Sequence, residues 1–346
     1  MPQNVLTVSD LSESQLLSRI FPRLELDAAH RQATVLGPGD DAAIVSAPDA
    51  RTLISIDTQV QDQDFRLLWP NGYATTGADV GWKAAAQNVS DINAMGGTPV
   101  SLVVSLTLPP DAAVSWVEDF AGGLVSAIRG LGASRCSVAG GDLGRGREIS
   151  VTVAVLGTLD GGTAVLRSGA RPGDVVALAG TVGRAAAGLA LLESGRNVNS
   201  LTQEQRALLD NQCRPVPPLA AGPAAREAGA TAMLDISDGL IRDGARLAAA
   251  SNAVVDLDPA ALLPLAAPLR PASDLLQSDP MAWVLGGGED HGLLATFPPD
   301  IQLPPGFTAI GSVQALVAQR PGSQNSTGVT IAGQPADTVG WDHFAH

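Results

Sequence analysis

Acidic residues recur where apolar runs end, most of them in glycine-containing turns: Asp40-Asp41 in GPGDD, Asp142 in GGD, Asp235 and Asp238 in DISDG, Glu289-Asp290 in GGED, and, without a glycine, Asp57 in SIDT. Asp91 adds another from a helical stretch. Glycine lets backbone approach a ligand closely, and strand ends are where α/β domains bind ligands. If several of these carboxylates converge, two of them about 4 Å apart repel by roughly 4 kcal/mol at an effective dielectric of 20. Convergence therefore requires cations. Oxygen ligands favour magnesium, calcium or manganese, and magnesium commonly divides its shell between carboxylates and substrate phosphates. Taken singly, each acid also fits a turn or a helix cap.

Composition narrows the classes further. The chain has 346 residues, enough for two domains at roughly 150 residues each. Hydrophobic residues make up 45% and charged residues 16%, a folded globular composition. A formal charge of -14 disfavours nucleic acid and anionic membrane surfaces as partners. Lys83 is the only lysine and Ala84 follows it, which excludes a GxxxxGK[ST] phosphate loop. Four histidines (His30, His291, His343, His346) and two distant cysteines (Cys136, Cys213) leave little material for a zinc site or a disulfide framework. With no basic-then-apolar leader and no run of about 18 apolar residues, the expectation is an untargeted cytoplasmic protein.

Along the chain, Ser9 to Phe21 reads as a capped helix, with Ser9 or Asp10 as N-cap. Runs at 34–36, 42–45 and 52–56 read as a strand meander. A helix is expected over 78–95, closed by Gly96-Gly97, with Lys83, Gln87 and Asp91 forming one polar stripe against alanines. A strand at 100–108, a helix over 112–131 capped by Asp111, and a strand at 149–159 follow. The Gly-rich loop 160–174 is the candidate boundary between an N-terminal domain, 1–159, and a C-terminal domain, 160–346. GGD (140–142) and GGED (287–290) echo each other across the two halves, a weak sign of duplication.

GPGDDA also fits the GxGxxG/A dinucleotide pattern, with Asp57 20 residues after Gly37. Two strands and a Pro48-Asp49 turn fill the interval, leaving no room for the helix that pattern requires. Cys136 reads as core, and His291 as either a ligand contact or a hydrogen-bonded structural imidazole.

The segments GPGDDAAI, SIDTQV, GWKAAAQNVSDINAMGG, GGDLGRG, LRSGARPGD, LDISDGL, GGGED and WDHF together resemble the thiamine-monophosphate kinases, within the larger group similar to aminoimidazole ribonucleotide synthetase. That resemblance implies a two-domain α/β (α+β) fold, with an N-terminal mixed sheet contributing to a dimer β-barrel and a C-terminal α/β domain. It implies ATP-dependent phosphorylation of thiamine monophosphate by direct in-line transfer, several Mg2+ ions, and a homodimer. Carried over by position, Asp41, Ser55, Ile56 (through its backbone), Asp57, Asp91, Asp142, Asp235 and Asp238 would hold metal. Gly141, Asp142, Arg167 and Ser237 would contact ATP, and Asp64, Glu289 and Trp341 would face the substrate. No catalytic protein base is implied, because a phosphate monoester is already mostly dianionic at neutral pH. The chain departs from the family at Asp64-Phe65, where His-Phe is usual; a carboxylate cannot be the cationic partner of a phosphate. Ligase and synthase branches of the same group, and a non-catalytic cation-binding scaffold, are the alternative readings. The selenophosphate branch uses an early Cys and the maturation branch a C-terminal one, whereas no Cys precedes Cys136 and the chain ends in DHFAH.

Overall fold

The computed structural model describes residues 5–38, 42–316, 328–337 and 340. The chain divides into two compact units, one of residues 1–92 and 97–162, the other of residues 93–96 and 163–346.

In the first unit, helix α1 (Glu13–Ile20) is followed by a hairpin of β1 (Thr34–Leu36) and β2 (Ile44–Val45). Next come β3 (Leu53–Val60), α2 (Gly77–Ala94), β4 (Thr98–Leu108), α3 (Val114–Gly130), β5 (Ser137–Arg145) and β6 (Ser150–Thr158). Strands β3-β6-β4-β5 form a mixed sheet in which only β4 and β5 run parallel. The expected meander is therefore split: β1 pairs with β2, and β3 pairs with β6.

Two helix starts differ from the sequence reading. Ser12, not Ser9 or Asp10, caps α1, in a reciprocal box with Gln15; Val8–Asp10 is a separate 3-10 turn. Helix α3 starts after Ala113 with no side-chain cap, because the Val114 N–H donates to the Leu6 carbonyl and Asp111 is not needed. Helix α2 ends as anticipated, with Gly96 at φ +72.

Helices α2 and α3 touch backbone to backbone. A Cβ at Gly77 would lie 1.9 Å from the Trp116 carbonyl oxygen, one at Gly81 2.1 Å from that of Phe120, and one at Gly123 2.4 Å from that of Ala78. The alternation along β3 follows the sheet's two faces: Leu53, Ser55, Asp57 and Gln59 point inward toward α2, while Ile54 and Ile56 are 73% and 63% exposed.

The second unit holds β7 (Val175–Ala179), α4 (Arg184–Glu193), α5 (Gln203–Cys213), α6 (Ala221–Glu227), β8 (Ala232–Ile236), α7 (Leu240–Ser251) and β9 (Ala253–Leu257). It continues with α8 (Pro259–Ala266), α9 (Arg270–Leu276), α10 (Pro280–Gly286), β10 (Gly292–Phe297), β11 (Phe307–Ala315), β12 (Val329–Ile331) and β13 (Gln334–Pro335). Its sheet order is β13-β12-β9-β11-β7-β10-β8, antiparallel except between β12 and β9. Every residue of β10 is buried, as befits an interior strand covered on both faces, and Phe297 packs edge-on against Phe307 at 5.3 Å. The two glycine-acid echoes occupy unlike places: GGD lies inside β5, whereas GGED forms the loop before β10. Among the described residues no helix is long and apolar enough to cross a membrane.

Gly81→Ala tests the helix contact. Alanine is about 1 kcal/mol better than glycine in a helix, yet the overlap with the Phe120 carbonyl should reverse that sign and cost about 2 kcal/mol. Urea unfolding of the two proteins measures the difference.

Candidate functional site

In the first unit the strand–helix pair β3 and α2 carries two of the candidate acids, Asp57 and Asp91. Ser55 Oγ donates to Asp91 Oδ2 at 2.5 Å, and Gln59 Nε2 donates to Gln87 Oε1 at 2.7 Å. The polar stripe on α2 is thus not a solvated face: Gln87 and Asp91 meet β3, and Lys83 is buried. Asp57 follows Ser55 on the same inward face and is half-buried. The Ile56 side chain points to the opposite face, so only its backbone is available to the site.

Asp142 lies elsewhere in the same sheet. It sits on β5, level with Ser105 of β4, with β4 and β6 between it and β3. Three strand spacings separate β3 from β5 by about 14 Å, too far for one cation to bond both Asp57 and Asp142 within a protomer. The absent side chain of Gly141 makes room for β4, since a Cβ would stand 2.2 Å from the Val104 carbonyl oxygen. Gly141 and Asp142 line a cavity of about 1040 Å³ with Gly37, Pro38, Phe21 and Phe120.

In the second unit, Asp235 lies near the end of β8, its Oδ2 accepting from His291 Nδ1 at 3.1 Å, both groups being buried. His291 is therefore the hydrogen-bonded imidazole, tied to a candidate ligand. Asp238, in the loop after β8, pairs with Arg246 Nη2 at 2.6 Å and stands 3.8 Å from Arg242 Nε. Asp243, one turn into α7, folds back to accept from the Asp238 and Gly239 N–H groups at 2.8 and 3.1 Å, and receives Arg246 Nη1 at 2.6 Å. Burial pushes the Asp243 carboxyl up to about 6, against the Asp238 N–H and Arg246, which favour its charged form.

The GGGED loop is fixed residue by residue. A Cβ at Gly288 would lie 2.2 Å from the Ser237 carbonyl oxygen, which in turn accepts the Glu289 N–H at 2.9 Å. Glu289 Oε2 accepts from Gln212 Nε2 at 2.5 Å. Asp290 accepts from Thr181 Oγ1 and from the Arg184 and Ala185 N–H groups at the start of α4; burial raises its pKa against these donors. Arg167 is exposed on a loop held at two points: its carbonyl accepts from Ser251 Oγ, and the Leu166 carbonyl accepts from the Met233 N–H of β8.

Asp64 closes the turn after β3, its Oδ2 accepting the Val60 N–H at 2.7 Å. Burial pushes the Cys136 thiol up to about 12, as suits a core residue. Asp41 and Trp341 lie outside the described residues. Among the described residues no group of three or more His, Cys, Asp or Glu is close enough to hold a metal by itself. Three candidate acids meet protein donors: Asp91 a hydroxyl, Asp238 two guanidinium groups, and Asp235 an imidazole.

The sequence reading missed Asp243, Arg246 and Gln212. The first had a signal, an acid five residues after Asp238 in the opening turn of a helix, where N–H groups want acceptors. Asp243→Ala should cost about 2 kcal/mol in urea unfolding, because two N–H groups and Arg246 lose a buried acceptor at once.

Comparisons with known proteins follow the same division. Residues 39–159 match the AIR synthase related protein, N-terminal domain, and residues 171–300 the corresponding C-terminal domain. A thiamine-monophosphate kinase of Mycobacterium tuberculosis is 41% identical over 308 residues, covering 89% of this chain and 86% of that protein. The Escherichia coli K12 thiamine-monophosphate kinase is 35% identical over 343 residues, covering 96% and 98%. Among solved structures, "AaThiL complexed with AMPPCP and TMP" superposes with a TM-score of 0.73 at 30% identity, covering 99% of this chain and 100% of that one. The Stenotrophomonas maltophilia thiamine-monophosphate kinase gives 0.75 at 30%, covering 94% and 98%.

Proposed function

The chain belongs to the thiamine-monophosphate kinases of the AIR synthase related family, and we infer from that membership that it uses ATP to phosphorylate thiamine monophosphate, yielding thiamine diphosphate. The observation that carries the site assignment is the Ser55–Asp91 hydrogen bond, which joins β3 to α2 beside Asp57. An all-oxygen donor set without thiolate fits a hard divalent cation, and magnesium is the ion we assign to it.

Ser55, Asp57, Asp91 and the Ile56 backbone would hold metal on one side, Asp142 at the far sheet edge a separate ion, and Asp235 and Asp238 those of the second unit; Asp41 belongs to the same proposed set. The spacing of β3 and β5 favours separate ions over one shared ion. When bound, such ions neutralise the phosphates and the charge that develops during transfer. The protein's own part is alignment. Ser55 orients Asp91, His291 orients Asp235, and Asp243 sets the loop that carries Ser237 and Asp238. Arg167 and Ser237 would contact ATP, together with Gly141 and Asp142 in their cavity; Glu289 and Trp341 would face the thiamine part. Asp64 contributes through the loop it closes, since its carboxylate cannot attract a phosphate. The substrate phosphate, dianionic near neutral pH, attacks the terminal phosphorus of ATP in line without a protein base, and ADP leaves as the bond to the bridging oxygen breaks.

Asp91→Asn should lower kcat about 100-fold with secondary structure unchanged, and chelation of magnesium should abolish transfer in the parent. Chromatographic detection of thiamine diphosphate measures both; full turnover in the presence of a chelator removes the metal reading.

We also propose that the enzyme works in the cytoplasm and as a homodimer. Ile54 and Ile56 on β3 and Val103 on β4 expose apolar side chains on one sheet face, a surface suited to a second copy. Ile54→Glu should convert the particle seen by light scattering from twice the chain mass to the single-chain 35.2 kDa; a parent that already scatters as one chain would overturn the dimer.

A further inference from the structure

We propose that Gln212 is the positioning residue for Glu289, holding one of its carboxylate oxygens so that the other stays aimed at the thiamine part of the acceptor. This rests on the reading of Glu289 as a substrate contact. Gln212 lies in the last turn of α5 and is 3% exposed, yet it is an amide where an apolar side chain would pack at no polar cost. Its Nε2 donates to Glu289 Oε2 at 2.5 Å, while its buried Oε1 has no hydrogen-bond partner among the described residues. Flipping the amide would not relieve this, because it would set an acceptor against a carboxylate. The amide therefore spends a buried, unanswered carbonyl for the sake of one bond to Glu289.

Both ends of that bond are held by backbone. Helix α5 presses on α4 at Gly188, where a Cβ would lie 2.2 Å from the Leu208 carbonyl oxygen and 3.0 Å from Gln212 Cβ. Glu289 has φ +67 and is tied through its N–H to Ser237. The side chain is half-buried, so its remaining freedom is rotation about its own bonds, and the Gln212 bond removes it.

The test is steady-state kinetics on the full-length enzyme with thiamine monophosphate and ATP varied separately. Gln212→Met keeps the shape and removes the donor. It should raise KM for thiamine monophosphate about tenfold while leaving kcat and the KM for ATP within about twofold. Gln212→His, which restores an N–H at similar reach, should return that KM to within about threefold of the parent. KM does not depend on how much of the protein is folded, so a modest loss of stability leaves the readout intact. An unchanged thiamine monophosphate KM in Gln212→Met, a parallel rise for both substrates, or no recovery in Gln212→His overturns the proposal. Glu289→Ala separates the two levels. If it leaves the thiamine monophosphate KM unchanged, the substrate reading of Glu289 fails and this proposal with it; if it raises that KM and Gln212→Met does not, only the positioning role fails.

Discussion

A carboxylate held away from water must be met by a donor or a positive charge, and most of the local architecture here is the working out of that demand. Asp243 is answered by two backbone N–H groups and Arg246, Asp290 by Thr181 and the opening N–H groups of α4, and Asp79 by Tyr73 and Thr76. These acids are structural: they fix loops and helix starts. Asp91, Asp235 and Asp238 meet side-chain partners, a hydroxyl, an imidazole and guanidinium groups, which can be given up. The same residue type thus serves as scaffold in one place and as candidate ligand a few residues away. What separates the two is whether the donors belong to rigid backbone.

Local features of the fold were legible in the sequence because they depend on neighbours in the chain. The stop of α2 at Gly96 and the strand at 52–56 are of this kind. The start of α3 was misread for the opposite reason: its first N–H is satisfied by the Leu6 carbonyl, a partner more than a hundred residues upstream that no cap rule can anticipate. Long-range partners hid Gln212 in the same way, since 77 residues separate it from Glu289.

Within the site, the acids could be named from their glycine neighbours, but the purpose of those glycines could not. Gly141 and Gly288 also admit protein backbone, of β4 and of the loop after β8, a close approach that the sequence does not reveal. The stripe on α2 was also legible as a stripe; that it faces a strand instead of water follows from Ser55 and Gln59 standing opposite it.

The loop before β10 carries a consequence for how such a chain can vary. Glu289, Asp290 and His291 stand side by side, yet they bind α5, the start of α4 and β8, three separate anchors. Gaining or losing a single residue there would shift all three out of phase together, and no rotation of the loop could restore more than one. Change at this position is confined to swapping one side chain for another, so its length is frozen even where its lettering is not.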